Sequence, residues 1–190
     1  MRARCRRLFV LLAFVAAGSV VTDGGAISAS ESPRADEYRV KAAFLYNFAK
    51  FVDWPAEAFA TPAAPLNVCI LGVDPFGSAL DQALQGHVGN RAIVTRRLTE
   101  VEPGCHLVFI SASERKRLAL LADSLRALRV LTVSDAEGFG GLGGMIELFT
   151  EGESVRFNIY PSEVERAGLR ASARLIELAA NQKHAAGGRR

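Results

Sequence analysis

The sequence predicts an α/β fold: a single three-layer domain with a mostly parallel central sheet flanked by helices and a C-terminal antiparallel hairpin at one edge. Three observations carry that expectation. Apolar runs of strand length, LNVCIL at Leu66–Leu71, CHLVFI at Cys105–Ile110 and VLTV at Val130–Val133, alternate with stretches of helical periodicity. Strands separated by helices of about ten to fifteen residues pair in parallel through right-handed crossovers. Near the end, Met145–Thr150 and Val155–Tyr160 flank Glu151-Gly152-Glu153-Ser154, a polar turn containing glycine, which is the pattern of a hairpin.

The 190 residues begin with Arg2, Arg4, Arg6 and Arg7, then the apolar run Leu8–Val21, then small residues at Gly24, Gly25 and Ala26. Cationic, greasy and small, in that order, is the layout of a secretory signal peptide, so residues 1–28 are expected to be removed and 29–190 to form the single domain. The apolar run, about 14 residues, is shorter than the roughly 18 needed to cross a bilayer, although an uncleaved anchor is the alternative reading. If cleavage follows Asp23, four arginines and one acid leave, and the formal charge of +3 falls to zero. That removes the argument for a nucleic-acid partner, and the mature chain has no segment for direct membrane insertion.

A helix is expected from Asp36 to Asp53, after a flexible start at Ser28–Ala35, with Phe44, Phe48 and Phe51 on one face as core. Leu45 and Tyr46 lie about 100° and 160° around from Phe44, which points them toward solvent and a protein partner. Trp54-Pro55 ends the helix, because the residue before proline is driven out of the α region. A Pro/Ala-rich linker, Ala56–Pro65, leads to the strand Leu66–Leu71, after which Asp74 is expected to cap a helix with Pro75 in its first turn. Arg91–Leu98 reads as a second strand, Ser113 as the cap of a helix over Arg115–Leu128, and Ser162 and Glu165 as a capping box for a helix starting near Pro161. Gly168 breaks that helix and Ser172 caps a further piece carrying Leu175 and Ile176.

Cys5 leaves with the signal peptide, so Cys69 and Cys105 are the thiols that reach an oxidising compartment, where they are expected to pair. The closed loop of about 36 residues would contribute on the order of 4 kcal/mol; two buried free thiols are the alternative. His87, His106 and His184 have no ligand spacing, so no metal and no cofactor is expected. Gly138–Gly143, GFGGLG, matches the dinucleotide fingerprint as a string, but a strand rather than a helix follows it, which leaves a tight or mobile glycine turn. No G-x-S-x-G elbow surrounds Ser111 or Ser113, and Cys105 and His106 point to opposite sides of a strand. No constellation demands catalysis.

The stretches YRVKAAFLYNFAKFVDWP (Tyr38–Pro55), LNVCILGVDPFG (Leu66–Gly77), CHLVFIS (Cys105–Ser111), VLTVSD (Val130–Asp135), GGMIELF (Gly143–Phe149) and VRFNIYPSEVERAGLRASARLIELA (Val155–Ala179) together resemble the YfiR-like family of bacterial periplasmic proteins. The resemblance implies a periplasmic regulator that inhibits an inner-membrane diguanylate cyclase through its periplasmic sensor region. Such inhibition lowers cyclic di-GMP signalling and biofilm formation. It also implies a homodimer, and it maps the family's cysteine pair onto Cys69 and Cys105. Some relatives carry a further pair in the hairpin region, and Phe139–Tyr160 contains no cysteine. On this reading Leu45, Tyr46 and Trp54 are the candidate partner contacts. Two other readings stand beside it: a small-molecule receptor binding at the sheet-end crevice near Asp74 and Ser134, and a hydrolase.

Overall fold

Residues 32–126 and 128–181 are described by the computed structural model; the expected signal peptide, 1–28, lies outside the described residues. Ser32 sets the first helix by accepting a 3.3 Å hydrogen bond from the Ala35 amide, with Pro33 at the first helical position and Asp36 in the first turn. The helix, α1, therefore runs Pro33–Phe51, and the part of the expected flexible start from Pro33 to Ala35 is helical instead. It leaves through β1, Val52–Asp53, immediately before Trp54-Pro55.

The remaining elements follow in order: β2 (Leu66–Leu71), α2 (Ser78–Ala83), β3 (His87–Val88), β4 (Arg91–Leu98), β5 (Leu107–Ile110), α3 (Leu118–Arg126), β6 (Leu131–Ser134), β7 (Ile146–Glu151), β8 (Ser154–Ile159), α4 (Pro161–Arg166), β9 (Arg170–Ala171) and α5 (Ala173–Leu178). The main sheet has seven strands in the order β3-β4-β2-β5-β6-β7-β8. Neighbours from β4 through β7 pair in parallel, while β7–β8 is antiparallel with Glu151 opposite Ser154 and Gly152 at φ +61° in the turn. The mixed α/β architecture with an edge hairpin is thus the expected one. Two short pieces were not: β3 adds an antiparallel strand at the opposite edge, and β1 pairs with β9 in a separate ribbon.

Strand side chains divide between two buried clusters, as the period of two requires. Val68, Ile70, Leu107, Phe109, Leu131 and Val133 join α1, α2, α4 and α5 in one cluster. Leu71, Val108 and Ile110 join α3 and Phe139 in the other, together with Cys69 and Cys105. The two cysteines are disulfide-bonded, with Cα atoms 6.0 Å apart, at 0% and 5% exposure. The free-thiol alternative is set aside.

Several local expectations need correction. The stripe that α1 buries is Tyr38, Lys41, Ala42, Leu45, Phe48 and Ala49, not one centred on Phe44 and Phe51, which are half-buried at its margin. Alanines at 42 and 49 let the helix approach the sheet, while Phe44 turns sideways to meet the Phe48 and Phe157 rings at 5.8 and 5.6 Å. Asp74 caps no helix: it accepts from the Phe76 amide at 2.7 Å in an Asx-type turn, and α2 starts later, after Gly77. Ser111, rather than Ser113, caps the next element, which opens as a 3-10 turn over Ala112–Arg117 before α3. The capping box at Ser162 is absent, since α4 begins at Pro161 with Tyr160 as an uncapped N-cap. Ser172 does cap α5, accepting from Leu175 at 3.2 Å.

Candidate functional site

Of the three expected partner contacts, one has turned inward and two are half-buried. Leu45 is fully buried among α1 and sheet side chains, so its expected exposure was wrong. Tyr46 is half-buried and packs against the same cluster. Trp54, also half-buried, donates from Nε1 to the His106 carbonyl at 3.0 Å and lines a cleft of about 490 Å³ with Pro55, Glu165 and Arg170. At the sheet end, Asp74 Oδ2 accepts from Arg97 at 3.0 Å, and Ser134 is wholly buried, donating to the Ile110 carbonyl at 2.8 Å and accepting from Ala136 at 3.1 Å. Asp74 follows β2 and Ser134 ends β6, with β5 between them, and both are held by internal hydrogen bonds.

The polar chemistry collects one residue further on. Asp135, at 4% side-chain exposure, accepts through Oδ2 from the Tyr38 hydroxyl at 2.7 Å and from Lys41 Nζ at 2.8 Å. Lys41 is equally buried, also pairs with Glu37, and lies 4.4 Å from the centre of the Tyr38 ring. Burial alone would lower the lysine's pKa, but the hydrogen bonds to Asp135 and Glu37 outweigh it and hold the ammonium above its ordinary value. Burial, and then the Asp135 carboxylate, push the Tyr38 phenol upward. The second carboxylate oxygen of Asp135, Oδ1, is buried with no hydrogen-bond partner, an arrangement that costs about 1–3 kcal/mol.

Next to this pair the glycine-rich segment forms a tight 3-10 turn, Phe139–Leu142, flanked by Gly138 and Gly143 at φ +81° and +86°. Its amides are already occupied, because Glu147 from β7 accepts from Gly138 at 2.9 Å and from Gly140 at 3.1 Å. The chain's own carboxylate thus fills the place a phosphate would take in a dinucleotide site. Burial, followed by the charge of Glu147, raises the pKa of the neighbouring Tyr160. Glu37, Lys41, Asp135, Glu137, Glu147 and Asn158 line a cleft of about 470 Å³ between α1 and β7–β8.

Sequence reasoning missed Lys41 and its pairing with the strand-end acid Asp135. The signal was present: a lysine inside the three-and-four-residue stripe Tyr38–Lys41–Leu45–Phe48 demands a buried counter-charge, and the acid directly after a buried strand supplies it.

His106 is a further buried polar group, immediately before β5 and next to the bonded Cys105. Its Nδ1 accepts from the Asn67 amide at 3.0 Å and Nε2 faces the Ala58 carbonyl at 3.1 Å, which defines a neutral ring with the proton on Nε2. Phe59 stacks on it at 4.3 Å, with Arg91 over the far ring. Burial lowers its pKa, opposed by the Ala58 hydrogen bond and reinforced by the Arg91 charge. A histidine lowered on folding takes up its proton more readily unfolded, so stability is full above about pH 6.5 and falls as pH drops toward the folded value. Thermal melts from pH 8 to 5 are expected to show this slope, at most about 1.4 kcal/mol per pH unit for one proton, and His106→Gln is expected to flatten it. An unchanged slope in the variant would assign the effect to other groups.

The fold and its buried contacts define a mixed α/β domain with a mostly parallel sheet, a hairpin edge and one internal disulfide. Among the described residues no helix is long and apolar enough to cross a membrane, and no three His, Cys, Asp or Glu side chains are grouped to hold a metal. The chain belongs to the YfiR/HmsC-like family, whose sequence model matches residues 38–180, from Tyr38 on α1 to just beyond α5.

Proposed function

We propose that this chain is a periplasmic regulatory binding protein, without catalytic activity of its own, that inhibits an inner-membrane diguanylate cyclase through the cyclase's periplasmic sensor region. The observation that carries the reading is the family match, which takes in nearly the whole described domain, including both bonded cysteines and the Tyr38–Lys41–Asp135 contact. Residues 1–28 then act as the export signal, and the mature chain forms a homodimer. Of the expected partner contacts, Tyr46 and Trp54 remain on the half-exposed surface, whereas Leu45 supports the helix from beneath.

Inhibition of this kind is a population shift: the regulator must bind the inactive cyclase more tightly than the active one, and about 1.4 kcal/mol of preference is worth tenfold in their ratio. Deleting the gene is expected to raise cellular cyclic di-GMP and biofilm mass, and tagged protein is expected to retain a cyclase in pull-downs from membrane extracts. Unchanged cyclic di-GMP together with no cyclase in the retained fraction would overturn the proposal.

A further inference from the structure

Residues 56–65 lie against the end of the sheet where β2 and β5 begin, and little holds them there. None of them is buried, and the backbone hydrogen bonds of the segment are local: Ala58 donates to Pro55, Phe59 to Ala56 and Ala64 to Thr61. The hydrogen bonds that tie this strap to the body come from two side chains. Arg91 of β4 donates to the Ala64 carbonyl at 2.7 Å and to the Thr61 carbonyl at 3.3 Å, with its guanidinium 3.5 Å from the centre of the Phe59 ring. His106 stacks on that ring at 4.3 Å and donates from Nε2 to the Ala58 carbonyl at 3.1 Å, while its Nδ1 accepts from the Asn67 amide on β2 at 3.0 Å. The imidazole is thus a peg with the strap on one side and the sheet on the other.

That peg fits in one protonation state. An imidazolium carries a proton on both nitrogens, and Nδ1–H would then confront the Asn67 N–H, donor against donor. The charged ring has to abandon β2, and the strap loses the anchor that the sheet provides. From this geometry we propose that residues 56–65 form an acid-released strap, latched by neutral His106 and freed when the ring takes up a proton, before the sheet itself unfolds. Among the described residues the charge that bears on the ring is that of Arg91 on β4, and it favours the neutral form. β2 presents Asn67 and β6 the Leu131 amide, neither of which titrates, while Asp53 on β1, Glu57 in the strap and His87 on β3 are exposed. Release uncovers Phe59 and reaches Trp54, whose indole bonds the His106 carbonyl, so the device touches a candidate partner contact without depending on the cyclase reading.

Hydrogen exchange of the purified protein at about pH 7.5 and about pH 5, on either side of the ordinary histidine value and corrected for the intrinsic effect of pH, tests the latch. Amides of residues 56–67 are expected to exchange severalfold faster in acid, at most about tenfold per pH unit for one proton, while β5 and β6 stay protected. His106→Gln, whose amide accepts from Asn67 and donates to Ala58 without titrating, is expected to abolish the acid response, and His87→Gln to leave it intact. An exchange rate in the strap that ignores pH, β5 and β6 opening together with it, a response that survives His106→Gln, or one that His87→Gln removes would each overturn the proposal. Should His106→Gln fail to fold, the strap-against-core comparison in the wild type and the His87→Gln result decide alone.

Discussion

Cys69→Ser is expected to lower the unfolding free energy by about 4 kcal/mol, the chain-entropy value for a sequence separation of 36, and the melting temperature by roughly 10 °C. The effect is large because the bond joins β2 to the segment leading into β5, two neighbours in the centre of the sheet, and both sulfurs sit in the cluster under α3. Serine also places a hydroxyl where Cys69 is fully buried, so the paired Cys69→Ala and Cys105→Ala variant is the control that isolates the crosslink. Urea unfolding of the three proteins, with and without reductant, gives the measurement. Wild type under full reduction should match the paired alanine variant, and a reduced wild type as stable as the oxidised one would refute the assignment. If the regulator reading holds, the less stable variant also releases the cyclase, and cyclic di-GMP rises in cells that carry it.

Lys41→Met is expected to destabilise the domain by about 3–5 kcal/mol, because it leaves the Asp135 carboxylate buried at 4% exposure with the Tyr38 hydroxyl as its remaining partner. The informative comparison is the double variant Lys41→Met with Asp135→Asn. Removing both charges removes the need to solvate either, so the double variant should recover more than about 1 kcal/mol relative to the single one. Chemical denaturation of the wild type, both single variants and the double variant closes the cycle. A double variant no more stable than Lys41→Met would mean that packing, rather than the unpaired charge, accounts for the loss.

Much of the architecture was legible in the residues because strand length, apolar density and turn chemistry agree there. Leu66–Leu71 and Arg91–Leu98 coincide with β2 and β4, and the Gly152 turn sits where the hairpin was expected. What failed shares a cause. Local rules assign a cap or a face from neighbours in sequence, whereas the fold gave these side chains distant partners. Asp74 answers to Arg97, and the sidechain of Ser113 accepts from the Val73 amide at 3.0 Å instead of opening a helix. The buried stripe of α1 was misjudged because aromatic residues outweigh alanine in any apolar count, yet Ala42 and Ala49 are what let the helix close on the sheet. The disulfide was readable from cysteine number and compartment alone. The Lys41–Asp135 pair was harder to see, since nothing in a single sequence ties residues 94 positions apart.

The side chain of Asn181 closes the exposed margin of β8. It accepts from the Ile159 amide at 3.2 Å and donates to the Ile159 carbonyl at 2.7 Å, imitating with one amide the pairing a further strand would provide. Sheet margins left open recruit whatever extended chain is near, including other copies of the same protein. A proteolytic cut or an expression boundary placed at residue 180, where the family match stops, would strip off that plug and turn a closed edge into a seed for precipitation.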